Sequence, residues 1–200
     1  LKSLIGLLPK NLSESYEEKK INGNVAMIFQ NPMSALDPLC PVFAQLIEVV
    51  MIRQNVSKKE AVCRANELIE RLGLPKELSK KDRLPSELSG GQCQRLVIAR
   101  ALLYDAAVYI FDEAASNIDV ESEELIMDVI HELAKIKTVL LISHRLANVV
   151  ESDQIYFLKN GEIQEHGKHE ELMQKDGEYH HLYESQMALE NYGRQVKRDV

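Results

Sequence analysis

Apolar positions along the chain follow two periods. Leu1-Lys2-Ser3-Leu4-Ile5-Gly6-Leu7-Leu8 has helical spacing and stops at Pro9, which cannot continue a helical backbone ladder. Residues 10–24 are polar and loop-like, and Val25-Ala26-Met27-Ile28-Phe29 is then a short continuous apolar run of the buried-strand kind, ending at Gln30. From Asn31 to about Leu88 the period is helical, clearest over Val42 to Arg53 and Lys58 to Leu72, and closed by Gly73 and Pro75. A second series follows: helix from about Gln92 to Tyr104, strand Ala107 to Phe111, helix Glu121 to Lys135, strand Thr138 to Ser143. Such alternation predicts parallel strands joined by right-handed crossovers. Ile155 to Leu158, Asn160-Gly161 and Glu162 to Gln164 read as a hairpin with the strong Asn-Gly turn signal. Two short helices are expected from Lys168 to about Gln186, and a polar tail over 188–200.

Composition narrows this picture. Two hundred residues with 45% hydrophobic content can bury one sizeable core, alone or with a small subdomain. The excess of 31 acidic over 24 basic residues, a formal charge of −7, argues against a general nucleic-acid or anionic-membrane surface. Cys40, Cys63 and Cys93 are odd in number and lack metal-ligand spacing, so neither a disulfide framework nor a zinc site is indicated and a reducing compartment fits. No apolar run approaches the roughly 18 to 20 residues of a membrane span and no signal-peptide pattern opens the chain, so membrane attachment is expected through a partner.

Two stretches carry chemistry. Val108-Tyr109-Ile110-Phe111-Asp112-Glu113 is an apolar strand delivering two adjacent carboxylates at its C-terminal end, where open parallel sheets bind ligands. This is the form of a Walker B motif: Asp112 is the candidate Mg²⁺ residue, and Glu113 the candidate base that positions or deprotonates an attacking water. A strand ending in a solvated Asp-Glu pair would look the same. The second stretch, Leu88-Ser89-Gly90-Gly91-Gln92, leads into a helical pattern. A serine and two glycines at a helix start present a hydroxyl and unobstructed N–H groups to an anion, although an ordinary Ser-capped helix after a glycine turn has the same letters.

With Gln94-Arg95 and then Ile98-Ala99-Arg100-Ala101-Leu102, this stretch resembles the signature of the ATP-binding cassette (ABC) ATPases, LSGGQxQRxxIARAL, with Cys93 in the variable place. Further motifs occur in the family's order. Gln30 matches the Q-loop glutamine, which in the family senses Mg²⁺ and the attacking water and couples the helical subdomain to the membrane partner. Ser116-Asn117-Ile118-Asp119 is similar to the D-loop, used across the dimer interface, while Asp119 also reads as a helix cap. His144 matches the switch histidine, which contacts the γ-phosphate and the counterpart of Glu113.

The resemblance implies an α/β fold, a P-loop NTPase-like parallel sheet core with an inserted α-helical signature subdomain. It divides the chain into partial ATPase core (1–33), helical subdomain ending in the signature (34–90), ATPase core (91–187) and polar tail (188–200). It implies an ATP-binding and ATP-hydrolysing motor of a membrane transporter, with ATP and Mg²⁺ as ligands. Its partners would be transmembrane permease subunits or domains and a second ABC ATPase subunit in a head-to-tail dimer, at the cytoplasmic face of the cell membrane, with no nucleic acid bound. Glu113, His144 and Gln30 would be catalytic and Asp112 with Gln30 would serve the metal. Ser89, Gly90, Gly91, Gln92 and Asp119 would meet nucleotide across the dimer.

The family's phosphate loop, GxxxxGK(S/T), is not found at any of the nine glycines: Gly167-Lys168 is followed by His169, and Gly161 lies one place too far upstream. Leu1 to Leu8 looks like the helix that follows this loop. Between it and Gln30 the family usually has a strand pair, and the stretch is shorter by on the order of twenty residues; a deletion of two sheet strands would expose edges and core, which favours omitted residues over a true deletion. A natural remnant acting as an inactive partner is the third reading. Gln30 to Pro38 looks like peptide- and nickel-importer cassettes, whereas Ser143-His144-Arg145-Leu146-Ala147 and Gly167 to Leu172 look like exporter cassettes. The rival classes are a soluble ABC ATPase of DNA repair or the ribosome, whose coiled-coil insertions or tandem cassettes are not seen, and a non-catalytic interaction module, against which Glu113 speaks.

Overall fold

The computed structural model describes residues 23–116 and 118–196; the expected helix over Leu1 to Leu8, and Asn117, lie outside the described residues. The chain divides into two compact units, one ending at Ile142 and one beginning at Ser143.

In the first unit β1 (Val25–Ile28), β2 (Val108–Asp112) and β3 (Thr138–Ile142) form a parallel sheet in that order. Ile28 lies opposite Phe111, and Asp112 opposite Ile142, so the three C-terminal ends are level. The middle strand is buried at Tyr109, Ile110 and Phe111, as a continuous apolar run in a covered sheet requires. The Tyr109 hydroxyl accepts the Ala106 N–H at 3.0 Å, so the one polar atom of this ring is used inside the core.

Between β1 and β2 stand α1 (Val42–Gln54), α2 (Lys58–Arg71) and α3 (Gly90–Tyr104), packed on one another. Ser57 caps α2 by accepting the Glu60 N–H, the local reason the helix starts where its periodicity does. α3 buries residues all round, among them Leu96, Val97, Ile98 and Ala99, because it lies against α1, α2 and β1 together. α4 (Val120–Ala134) makes the crossover from β2 to β3 and is capped by Asp119. The P-loop NTPase-like α/β core with an inserted helical portion is thus present.

In the second unit β4 (Ile155–Lys159) and β5 (Glu162–Gly167) pair antiparallel. Asn160 and Gly161 join them, both with positive φ (54° and 82°), the backbone that makes Asn-Gly the favoured hairpin turn. α5 (His169–Gln174) is short, but α6 (Glu178–Val196) is one helix that passes the expected stop near Gln186 and runs through Ala188 into the stretch read as a polar tail. The reason is lateral. Gln186 accepts the Leu146 N–H at 2.9 Å and donates to the His144 carbonyl at 2.8 Å, and Arg145 pairs with Glu190 at 2.9 Å. At the other end Glu165 of β5 accepts the N–H groups of Glu178 and Tyr179 at 2.7 and 3.2 Å, capping α6 from another element.

Candidate functional site

The parallel register decides the first cluster. With Ile28 opposite Phe111, the chain two residues further on puts Gln30 beside Glu113, and Gln30 Nε2 donates to Glu113 Oε2 at 2.8 Å. Asp112 is the last residue of β2, half-buried, and its carboxylate has no hydrogen-bond partner among the described residues. Glu113 turns the chain out of the sheet with φ of 51°, a left-handed conformation uncommon outside glycine and asparagine. Three backbone contacts hold it there: its N–H donates to the Ile142 carbonyl at 3.0 Å, and its own carbonyl accepts the Ser116 N–H at 3.0 Å and hydroxyl at 2.8 Å. Strain of this kind, of order 1–3 kcal/mol, persists only where the surroundings over-determine it.

The second cluster is the start of α3. Ser89 is the N-cap: its hydroxyl accepts the Gln92 N–H at 3.2 Å, and Gln92 Oε1 accepts the Ser89 N–H at 3.0 Å, a capping box. The helix therefore begins at Gly90, ahead of Gln92. The N–H groups of Gly90 and Gly91, in the first turn, have no acceptor within the helix. The two glycines differ. A Cβ on Gly90 would meet nothing within 4 Å among the described residues, whereas one on Gly91 would lie 3.1 Å from Ser122 Oγ and 3.2 Å from Asp119 Oδ2. Asp119 Oδ1 accepts the Ser122 N–H at 2.8 Å. This amide, then the Ser122 hydroxyl and more weakly the Arg95 guanidinium hold the Asp119 carboxyl below its usual range. Cys93 is buried, its thiol facing the Pro85 carbonyl at 3.5 Å, and burial pushes its pKa up.

His144 lies in the second unit, exposed, near its start. The structure thus brings Gln30, Asp112 and Glu113 to one sheet end and Ser89 to Gln92 against Asp119. Ser122 escaped the sequence reading, and Ser116 and Arg95 entered it only as letters of the D-loop and the signature, with no role of their own. Ser116 had a signal, a hydroxyl three residues after Glu113; the other two act through packing between helix starts. A hollow of about 360 Å³ opens among Ser34, Asp37, Cys40, Gln45, Glu48 and Arg100. Arg100 is half-buried and burial lowers its pKa.

This geometry can be set beside known proteins. The ABC transporter family model matches residues 4–116. The chain belongs to the ABC transporter family. An uncharacterized ABC transporter ATP-binding protein of Haemophilus influenzae is 54% identical over 105 residues, 52% of this chain and 19% of that protein. The ATP-dependent lipid A-core flippase of Vibrio vulnificus is 38% identical over 175 residues, 86% of this chain and 30% of the flippase. A solved dimeric ATP-binding cassette in a post-hydrolysis state, bound to ADP and Pi, aligns with TM-score 0.64 and 28% identity over 72% of this chain and 62% of that one. The chain spans less than a third of the curated ABC relatives it matches.

Proposed function

We propose that the chain is part of the ATP-hydrolysing cassette of an ABC transporter, coupling ATP turnover to movement of a solute across a membrane. The observation that carries this reading is the 2.8 Å hydrogen bond from Gln30 to Glu113 beside the Asp112 carboxylate, which has no partner among the described residues, at the level C-terminal ends of three parallel strands. Open parallel sheets place ligands there. Glu113 is the base: it takes a proton from the water whose oxygen bonds to the γ-phosphorus as the bond to the bridging oxygen breaks and ADP leaves. The Gln30 amide fixes the carboxylate for that transfer, and His144, by its match to the switch histidine, is the third catalytic candidate. The phosphate grip itself is not among these residues, which supply the other parts of the site.

Asp112 and Gln30 offer hard oxygen donors of the kind Mg²⁺ takes. No group of three or more His, Cys, Asp or Glu side chains able to hold a metal occurs among the described residues. When bound, Mg²⁺ would neutralise charge developing on the phosphates. Ser89, Gly90, Gly91 and Gln92 serve a nucleotide held mainly by a second cassette in a head-to-tail dimer, and Asp119 faces the same interface. Gly90 supports this: among the described residues nothing meets a Cβ there, and glycine in a helix costs about 0.5–1 kcal/mol relative to alanine, which fits close approach from outside.

No helix among the described residues is long and apolar enough to cross a membrane. The transmembrane permease partner docks at the hollow lined by Arg100 and Glu48, holding the cassette at the cytoplasmic face of the cell membrane. The extent of the match to a flippase supports the exporter branch. The test is Glu113→Gln in the intact gene product with Mg-ATP. Hydrolysis should fall about 10²- to 10⁴-fold and an ATP-bound dimer should accumulate in sedimentation. Normal turnover in that variant would overturn the role given to Glu113.

A further inference from the structure

The first turn of α3 is gripped on two sides. Arg95, one turn along the helix, folds back so that its Nε donates to the Gly91 carbonyl at 3.3 Å, while its Nη1 donates to the carbonyls of Leu72 and Gly73 at 3.1 Å each, at the end of α2. On the other side the Gly91 α-carbon rests on Ser122, which is 3% exposed, and on Asp119. Gly73 completes the junction: its φ is 60°, and a Cβ there would stand 3.0 Å from Leu125 of α4 and 3.3 Å from Arg95. The end of α2, the first turn of α3 and the first turns of α4 therefore meet around Gly91 with no spare volume. Gly90, next to it, is open.

We propose that Arg95 and Ser122 are positioning residues for the signature turn: they set the direction of the Gly90 and Gly91 N–H groups, and they make that turn move with the cap of α4. Neither side chain touches the nucleotide. The guanidinium suits the task because its planar fork bonds three carbonyls in fixed directions, which a lysine ammonium cannot reproduce. Ser122 suits it because its hydroxyl fits under a residue without a Cβ and still bonds to Asp119. Any displacement of the segment leading to Asp119 is delivered to Gly91 by contact, and so to whatever anion the turn binds.

This inference rests on the reading of the turn as facing the partner's nucleotide, and the experiment separates the two. The intact gene product carrying Glu113→Gln serves as parent, so that hydrolysis does not intrude, and two quantities are measured with Mg-ATP: nucleotide affinity of the monomer at low protein concentration, and the dimer dissociation constant by sedimentation. Adding Ser122→Ala, Arg95→Lys or Arg95→Met should weaken the ATP-bound dimer about 10- to 100-fold while monomer affinity stays within twofold, and Ser122→Thr should restore part of the loss. If the parent dimerises and the added changes leave its dissociation constant within twofold, the positioning role is refuted and the reading of the turn survives. If monomer affinity falls in parallel with dimerisation, the residues are merely structural and the proposal fails. A parent that forms no ATP-dependent dimer removes the reading and the inference together. Should the Arg95 variants not fold, Ser122→Ala alone decides.

Discussion

Ser89 separates two explanations of one motif, because the same hydroxyl caps a helix and, in the proposed function, faces a phosphate. Its hydroxyl accepts the Gln92 N–H at 3.2 Å, so Ser89→Ala loses a cap and should destabilise by about 1 kcal/mol. That corresponds to a fall of roughly 2–4 °C in unfolding midpoint for a protein of this size. Ser89→Asp keeps the cap, since aspartate is as good an N-cap as serine, and adds a favourable charge at the positive helix end. Repulsion from the Asp119 carboxylate, whose Oδ2 lies beside Gly91, subtracts from that gain. Stability of Ser89→Asp is therefore expected within about 1 kcal/mol of the parent. Function should go the other way. Two unit negative charges about 4 Å apart repel by about 4 kcal/mol at an effective dielectric near 20, on the order of a thousandfold in affinity. Urea denaturation and steady-state ATPase of the intact gene product read the two axes. The expected pattern is an alanine variant that is less stable with partial activity, and an aspartate variant that is stable and inactive. An active aspartate variant would show that the turn only caps a helix.

The remaining predictions concern the core and the second unit. Tyr109→Phe leaves the buried Ala106 N–H without its 3.0 Å acceptor and should cost about 1–3 kcal/mol by urea denaturation; a loss below 0.5 kcal/mol would refute the accounting. Gln94 is 2% exposed with both amide ends unpaired, so Gln94→Met should raise stability by about 1 kcal/mol, and a fall would mean that the amide is bonded in solution. Tyr179 is fully buried, and burial, with Tyr183 second, pushes its pKa up to about 12. Above about pH 10 the unfolded chain releases this proton while the fold retains it, so from pH 10 to about 12 Tyr179 should contribute a decline in stability near 1.4 kcal/mol per pH unit, and Tyr179→Phe should lessen the measured slope by that amount. Glu113→Gln, described above, is the test of the base.

Much of this architecture was legible because local and global signals agree. The run Val108 to Phe111 announced a buried strand, Asn160-Gly161 announced the turn at which both residues have positive φ, and Ser89 with Gln92 announced the cap that the structure closes. Gln30 is instructive in a different way: it was named only by likeness to a motif, and its proximity to Glu113 comes from strand register, which a sequence read alone does not carry. α6 ran past its expected end because the bonds that hold its later turns reach back to His144, Arg145 and Leu146. Nothing in periodicity reports contacts about forty residues away. The junction around Gly91 was invisible for the same reason, since Gly91, Arg95 and Asp119 belong to motifs that say nothing of their contacts with one another or with Ser122.

The left-handed backbone of Glu113 has a consequence for anyone who would improve this protein. Glycine or asparagine would sit at φ of 51° with less strain than glutamate, so a selection for heat resistance alone should drift toward them at this position. With Glu113 as the proposed base, the variants so obtained would be sturdier and chemically silent. On the proposed function, thermostability and turnover are set against each other at a single residue, and a directed-evolution campaign on this cassette should hold Glu113 constant while the library varies around it.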